Sequence, residues 1–178
     1  MRNYCCKFRD LEVWRVSDGY CNSAKRPPCG YAGDPAGNCH CSADRIAAYR
    51  GRVSGPLLDR IDMHVEVAAQ PLAALRKADA TECSRDVAAR VVKARRLAKE
   101  RQGCLNASLG NAELESMLEA DSWTLVDAAS ERLCLSARSA YRVLRVSRTI
   151  ADLSEAETIT PPHVAEALSY REIERRVL

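Results

Sequence analysis

Several features that would assign a function at once are missing from this sequence. It has no run of about 18 apolar residues, so we expect no membrane-spanning helix. Its first residues lack the continuous apolar stretch and small-residue cleavage site of a secretory signal. It contains no Gly-x-x-x-x-Gly-Lys-Ser/Thr phosphate loop and no apolar strand ending in the acidic pair that holds magnesium. We therefore expect that the chain alone does not hydrolyse ATP.

Charge is also nearly balanced, with 27 basic and 24 acidic residues and a net charge of +3 over 178 residues. Such a weak overall field gives no argument for nucleic-acid binding, so that role rests on local clusters. The nine cysteines are odd in number, and without a signal we expect no disulfide framework. The predicted compartment is reducing and cytoplasmic. A hydrophobic content of 47% is enough for a sizeable core.

Three cysteines, Cys29, Cys39 and Cys41, lie in a loop that is rich in glycine and proline, residues 27–42. Thiolates suit zinc, and a tetrahedral zinc site stabilises a loop that has no hydrophobic core of its own. The fourth ligand is open, with Cys21 favoured by its distance along the chain and His40 or Cys6 as alternatives. The competing interpretation is a loop that no longer binds metal tightly.

The stretch Ser54 to Val67 has two halves. The first is a turn, Ser-Gly-Pro, followed by two leucines, Asp59 and Arg60. The second, 61–67, alternates apolar and polar residues, which predicts a half-buried strand. An arginine at the end of an anchored turn is well placed to reach a phosphate, because guanidinium is planar, always charged and bidentate.

The remaining pattern is helical, and most of the predicted starts have a capping residue or a proline. The predicted helices are 43–49, 72–77, 79–102, 112–119, 123–133, 137–153 and one that begins at Pro161. Their expected caps are Ser42, Asp79 with Glu82, Asn111, Ser122, Ser136 and Thr160, and Gly103 is expected to end the long helix. Apolar stripes predict core positions at Val87, Val91, Ala94, Ala98, Leu114, Met117, Leu118, Val126, Ala129, Leu133, Tyr141, Leu144, Ile150, Val164 and Leu168.

Residues 57–62, Leu-Leu-Asp-Arg-Ile-Asp, resemble the arginine-finger segment of AAA+ ATPases of the magnesium-chelatase and MCM group. Together with the cysteine loop and 49–52, Tyr-Arg-Gly-Arg, they resemble bacterial magnesium-chelatase-like proteins of the ComM/YifB type over about residues 28–171. The implied fold is mainly α: an incomplete AAA+ core remnant, a loop plus one or two strands, followed by an α-helical lid bundle. The implied ATP and Mg²⁺ chemistry belongs to the intact family protein.

The resemblance also implies roles for two arginines. Arg60 is expected to reach across a subunit interface to the γ-phosphate of a neighbour's ATP, and the plain alternative is a surface arginine paired with Asp59 or Asp62. Arg138 occupies the place of the sensor-2 arginine, which contacts nucleotide in its own subunit. The plain alternative for Arg138 is a solvated helix charge like those of Arg142, Arg145 and Arg148. His64 and His163 are predicted to be structural.

The predicted organisation has three parts: an atypical segment 1–26, a core remnant 27–70 and a lid 71–178. Residues 1–26 sustain neither a strand nor a helix period, and the family's first loop cysteine is replaced by Pro27. We hypothesise that a frameshift or truncation interrupts the coding sequence there. The upstream DNA tests this, since finding no family-like peptide in another reading frame contradicts it.

The family activity implied is ATP-driven DNA branch migration in recombination and natural transformation, by a ring that is expected to be hexameric. The basic face of the 79–102 helix is a candidate for DNA contact, although Glu82, Asp86 and Glu100 interrupt it. One alternative is a non-enzymatic, zinc-stapled module that binds DNA or protein. Another is part of a magnesium chelatase ATPase subunit, against which the cysteine loop argues.

Overall fold

The computed structural model describes residues 5–8, 11–16, 19–24, 39–50, 61–65 and 82–177, with side chains described for 39–48, 61–65 and 82–171. The chain divides into two compact units, Met1–Val53 and Ser54–Leu178.

The first unit contains a three-stranded antiparallel sheet in the order β1-β2-β3: β1 Cys5–Phe8, β2 Leu11–Val16 and β3 Gly19–Ala24. Trp14 is the register partner of both Cys5 and Cys21. The sequence pattern of 1–26 indicated neither a strand nor a helix, and all three strands lie within this segment. Two residues separate each strand from the next, which is the usual length of a hairpin connection. Strands this short are stabilised by cross-strand pairs, which a search for apolar–polar periodicity does not detect. A helix, α1 Ala43–Arg50, follows.

The second unit is a helical bundle, which confirms the prediction of a mainly α chain with a helical lid. Its helices are α2 Ser84–Gln102, α3 Asn111–Ser116, α4 Ala120–Leu133, α5 Ala137–Leu153 and α6 Pro161–Val177, with a 3₁₀ turn at Asn106–Ser108. Among the described residues, no helix has both the length and the apolar character needed to cross a bilayer.

The central helix of the bundle is α5, which packs against α2, α3, α6 and the 3₁₀ turn. Its core residues Val143 and Leu144 are 1% exposed, and they share a cluster with Leu114 of α3, Val126 of α4 and Val164 of α6. A β-bridge between Leu118 and Ile159 joins the α3–α4 connection to the α5–α6 connection. The predicted core positions of α3 to α6 are thereby confirmed as buried or partly buried against this cluster.

The long basic helix begins later than predicted. Residues 82–83 are not helical, and the N-terminal cap is Cys83, whose carbonyl accepts hydrogen bonds from the amides of Asp86 and Val87. The expected capping role of Glu82 is wrong because its carboxylate instead pairs with Arg90 at 2.9 Å. The predicted core positions Val87 and Val91 are wrong, since these side chains are 40% and 44% exposed. Only the later turns of α2, which carry Ala94 and Ala98, are buried.

Two other predicted caps are wrong because tertiary contacts use the same side chains. Ser122 is buried inside α4, and its Oγ donates to the carbonyl of Ile159 at 2.8 Å. Asn111 accepts from Arg145 at 3.1 Å, while Gly110 caps α3 with its amide donating to Glu113 at 3.0 Å. Short helices with several polar residues near their start offer more than one cap, so the sequence alone does not choose between them.

Three other helix-end predictions of this unit hold, at Ser136, Gly103 and Pro161, whereas α3 ends at Ser116 and not at 119, and α4 begins at Ala120 and not at 123. Ser136 caps α5, and its Oγ accepts from the amide of Ser139 at 3.2 Å. Gly103 ends α2 in the left-handed region at φ 74°, where its amide donates to the Lys99 carbonyl at 2.8 Å. Helix α6 starts at Pro161, and the amide of Thr160 donates to Nδ1 of His163 at 3.1 Å, which agrees with a structural histidine.

The predicted strand over 61–67 is wrong in its described part, since residues 61–65 do not form a strand. The amide of His64 donates to the carbonyl of Tyr170 at 2.9 Å, so this segment bonds to a residue within α6 and not to a sheet. Met63 and Val65 of the predicted apolar face are exposed, while His64 of the predicted polar face is partly buried. The predicted helix 72–77 and the turn before Ile61 lie outside the described residues.

Candidate functional site

Four arginines recur along α5, and the structure separates them by burial and by partner. Arg138 and Arg142 lie in its first half, and Arg145 and Arg148 lie further along. Arg148 is completely buried, whereas Arg138 is exposed. Sequence spacing alone treats the four as equivalent charges on one helix, so the sorting is a result of tertiary packing.

Arg148 belongs to a buried ionic network centred on Asp152, which is 2% exposed. Nη2 of Arg148 donates to Asp152 at 2.9 Å, and Arg101 of α2 donates to both carboxylate oxygens at 2.6 and 3.0 Å. Asn106 adds a third donor at 2.6 Å. Nη1 of Arg148 donates to the Glu157 carbonyl at 2.8 Å. The network joins α2, the 3₁₀ turn, α5 and the α5–α6 connection.

The pKa of Asp152 follows from this network. Burial by itself raises the pKa of a carboxyl group, but the hydrogen bonds from Arg101 and Asn106 and the charge of Arg148 outweigh burial. The pKa of Asp152 therefore lies below its ordinary value. Burial lowers the pKa of Arg148, and the neighbouring Asp152 charge opposes that shift. A carboxylate with three donors stays ionised at neutral pH, which makes the network a stable clamp.

Arg142 and Arg145 each have a partner from outside α5. Arg142 forms an ion pair with Asp62, from the segment that follows Arg60. Arg145 donates to the Leu109 carbonyl at 2.9 Å and to Asn111. Both guanidinium groups are therefore engaged in holding neighbouring chain segments to α5.

Arg138 differs from these neighbours. It is the second residue of α5, it is exposed, and it makes no hydrogen bond or ion pair with any residue in the part of the chain that the structure describes. A guanidinium that no described residue holds is available to a ligand. That geometry suits the role expected of Arg138.

Arg60 lies outside the described residues, while the segment directly after it is described. Asp62 and Met63 contribute to a cavity of about 390 Å³, together with Arg142 and Leu153 of α5 and Tyr170 of α6. In the alternative interpretation Arg60 pairs with Asp62, and there it competes with Arg142, which forms an ion pair with the same carboxylate.

The candidate zinc ligands are described only in part. Cys39 and Cys41 are half-buried, and His40 between them is exposed. Cys21 is in β3, and its side chain, like Cys29 and the side chain of Cys6, lies outside the described set. Within the described residues no three His, Cys, Asp or Glu side chains are grouped as metal ligands. Two thiols alone are an incomplete donor set for zinc, so the fit depends on residues outside this set.

The basic face of α2 carries less unpaired charge than its sequence suggests. Four of its basic residues have acidic partners within the chain. The pairs are Arg90 with Glu82, Lys93 with Glu155, Arg96 with Glu100 and Arg101 with Asp152. Arg85 and Lys99 make no ion pair with a described residue. The face is consequently a weaker candidate for phosphate contact than a count of basic residues predicts.

The residues that sequence reasoning missed are Arg101, Arg148 and Asp152. One signal was present, since Arg148 and Asp152 have the i, i+4 spacing of an ion pair on one helix. Nothing in the sequence indicated that this pair is buried, or that Arg101 joins it from a helix fifty residues earlier.

Comparison with known proteins identifies the family to which this bundle belongs. The family model described as magnesium chelatase, subunit ChlI C-terminal, matches residues 81–171, half of the chain, and so covers almost all of the described bundle. A second, described as magnesium chelatase, subunit ChlI, matches residues 20–75. The class is therefore a magnesium-chelatase-type protein whose helical bundle corresponds to the C-terminal family model. The chain belongs to the magnesium chelatase subunit ChlI family, as the resemblance of its motifs predicted.

Individual relatives agree with this assignment. The chain is 41% identical over 138 residues to the competence protein ComM of Haemophilus influenzae, covering 75% of this chain and 27% of the relative. It is 37% identical to the uncharacterized protein YifB of Escherichia coli K12 over 78% of this chain and 28% of the relative. An uncharacterized protein of Mycobacterium tuberculosis H37Rv is 34% identical over 82% of this chain. The chain spans less than a third of the length of these relatives.

Proposed function

We propose that this chain provides the arginine-bearing part of a magnesium-chelatase-like AAA+ ATPase that acts on DNA in competence and recombination. The observation that carries the proposal is the position of Arg138: exposed and without a described partner at the start of α5, while the three later arginines of that helix are engaged. Membership of the ChlI family and 41% identity to a competence protein support the choice of class.

Nucleotide binding in this proposal needs residues that the sequence does not contain. No phosphate loop occurs in the chain, so ATP and Mg²⁺ are held elsewhere in the assembly. Bound ATP supplies a terminal phosphoryl group on which negative charge is rearranged as it departs. Arg138 contributes a fixed positive charge toward nucleotide on its own subunit, and Arg60 contributes one toward nucleotide on the neighbouring subunit. The domain organisation proposed remains 27–70 and 71–178, which the break between the two family matches supports.

A fusion protein tests both arginines. The part of the Haemophilus influenzae relative that aligns with this chain is replaced by this chain, and ATP turnover is measured without DNA. We expect Arg138→Ala and Arg60→Ala each to reduce turnover by roughly 100-fold, the usual loss when one charge-stabilising donor is removed. Arg138→Lys is expected to recover part of the activity.

The matched control is Arg45→Ala, which removes an exposed arginine from α1 and is expected to leave turnover unchanged. Mixing experiments separate the two roles. Arg60→Ala subunits regain activity when mixed with subunits that lack the phosphate loop but keep Arg60, because Arg60 acts on a neighbour. Arg138→Ala subunits do not regain it in the same mixture. Normal turnover in either alanine variant contradicts the role of that arginine.

The other candidate functions have less support. A zinc-stapled binding module requires a complete ligand set around Cys39 and Cys41, and the zinc content of the purified chain tests that alternative directly. Magnesium insertion into porphyrin is suggested by the family description. We favour the DNA-linked branch because the cysteine loop resembles that branch and because a competence protein is 41% identical.

A further inference from the structure

One side of α2 carries four residues at the spacing that helices use to contact each other. Ala88, Val92, Arg95 and Lys99 follow one another at intervals of four, three and four residues, so they lie along one side of the helix. We call these four residues the α2 stripe. Val92 is 65% exposed, Ala88 and Lys99 are exposed, and Arg95 is half-buried. The stripe therefore offers a partner an apolar side chain followed by positive charge.

The acidic residues of α2 lie off this stripe. Asp86 is two residues before Ala88, and Glu100 directly follows Lys99. Each residue turns an α-helix by about 100°, so both carboxylates belong to other sides of α2. Lys99 takes part in none of the ion pairs described for α2. Positive charge on the stripe is thus not interrupted by an acidic residue.

Helix α4 carries a second stripe with the same spacing and the opposite charge. Ala120, Thr124, Asp127 and Glu131 also follow at intervals of four, three and four residues, and we call them the α4 stripe. All four are exposed, on the side of α4 away from the buried Val126. Asp127 and Glu131 make no ion pair with a described residue. Both carboxylates are therefore available to a cationic partner.

The two stripes match position by position when the helices are parallel. The facing pairs are then Ala88 with Ala120, Val92 with Thr124, Arg95 with Asp127 and Lys99 with Glu131. Small side chains on α4 let the valine approach closely, and each charge meets its opposite. Within one chain α2 packs against α5, whereas α4 packs against α6. None of the ion pairs described for α2 uses an acid of α4.

We propose that the α2 stripe docks against the α4 stripe of a second copy of this chain. The exposed valine favours a protein partner over nucleic acid, because a row of phosphates gives it no apolar contact. The contact joins two different faces, so every pair of copies keeps one unused stripe at each end and association continues head to tail. It involves neither nucleotide nor Arg60, so it does not depend on the proposed function.

Sedimentation velocity of the purified chain without nucleotide, over a range of concentrations, tests the inference. We expect Lys99→Glu and Glu131→Lys each to weaken self-association roughly tenfold, because one exposed ion pair is replaced by two like charges. An equimolar mixture of the two variants is expected to associate like the wild type, since each supplies the intact stripe that the other lacks. Both positions are exposed, so the bundle is expected to fold in each variant.

The matched control is Asp121→Lys, which makes the same charge change on α4. Asp121 directly follows Ala120, so it lies about 100° away from the α4 stripe, and we expect association to be unchanged. Val92→Asp tests the apolar part separately and is expected to weaken association as well. The variants Arg60→Ala and Arg138→Ala are expected to associate normally, which separates this contact from the roles proposed for those arginines.

Four outcomes contradict the contact. The wild-type chain stays monomeric at every concentration, or both charge variants associate as it does. If the variants lose association but their mixture does not recover it, positions 99 and 131 do not meet. If nuclease treatment of the wild-type chain abolishes its association, nucleic acid and not a second copy is the partner of the α2 stripe.

Discussion

At the residue scale, Asp152 holds together the polar interior of the bundle. It accepts hydrogen bonds from Arg101, Asn106 and Arg148, which come from three different elements. Burying a charge is costly unless it is paired, and removing one partner of a buried pair leaves the other uncompensated. Arg148 has no exposure to solvent, so the loss of Asp152 is expected to be felt there most strongly.

We predict that Asp152→Asn lowers the free energy of unfolding at pH 7 by about 3 kcal/mol. The difference should shrink as the pH falls. Because the pKa of Asp152 is lower in the folded chain than in the unfolded chain, the unfolded chain binds more protons below about pH 4. The stabilisation by Asp152 is thus present above its ordinary pKa and is lost as the pH falls through its folded pKa.

Urea unfolding of both proteins between pH 7 and pH 2 measures this difference. Asp127→Asn is the control, since Asp127 is exposed on α4 and makes no ion pair with a described residue. It is expected to change the free energy of unfolding by no more than about 0.5 kcal/mol at any pH. A gap between wild type and Asp152→Asn that stays constant down to pH 2 shows that ionisation of Asp152 is not its source.

At the element scale, α5 connects the bundle because almost every turn of it has a separate partner. Ser136 caps its start, Arg142 and Arg145 hold neighbouring segments, and its last turns contain the buried network. Its apolar residues Val143 and Leu144 lie in the core. The orientation of α5 is therefore fixed along its length, and Arg138 occupies a defined position at one end.

We predict that Ser136→Ala lowers the free energy of unfolding by about 1 kcal/mol, because the amide of Ser139 loses its acceptor. Ser136→Asp is the control: it keeps an acceptor and adds a negative charge at a helix N-terminus, so its effect should be a few tenths of a kcal/mol. The urea midpoint at constant slope measures both variants. Equal losses in the two variants indicate that the cap is not the cause.

At the scale of the whole molecule, acidic side chains of the chain compete with any external phosphate for the basic side chains. The overall charge is only +3, and four basic residues of α2 already have acidic partners. Any DNA contact through the basic face of α2 therefore depends on groups such as Arg85 and Lys99, which make no ion pair with a described residue. Because a condensed ion is released for each neutralised phosphate, the salt dependence of affinity counts these contacts.

We predict that the isolated chain binds duplex DNA weakly, with a slope of log affinity against log salt no steeper than about −3. The double variant Arg85→Ala/Lys99→Ala is expected to make the slope shallower by about 2, since two phosphate contacts are lost. Fluorescence anisotropy at salt concentrations between about 50 and 200 mM measures the two slopes. Arg45→Ala again serves as the control. A slope near −7 shows that the intramolecular ion pairs of α2 open to contact DNA.

The sequence determined the family and the helical character of the chain. The motifs around Arg60 indicate the family. The spacing of apolar residues such as Leu114, Val126 and Leu144 indicates the helices, because local periodicity sets which face of a helix is apolar. Helix ends were predictable where one local group decides them, as at Ser136 and Gly103. The short strands of residues 5–24 escaped prediction because cross-strand pairing stabilises them.

Only the tertiary structure decided how equivalent polar residues are used. Ser122 and Asn111 have the chemistry of caps, yet distant partners Ile159 and Arg145 use their side chains instead. The α5 arginines share one residue type and similar spacing, yet Arg148 is buried while Arg138 remains exposed. The physical reason is that a hydrogen bond or an ion pair depends on which groups the fold brings together. Such contacts join residues that are far apart in the sequence, so no local pattern along the chain predicts them.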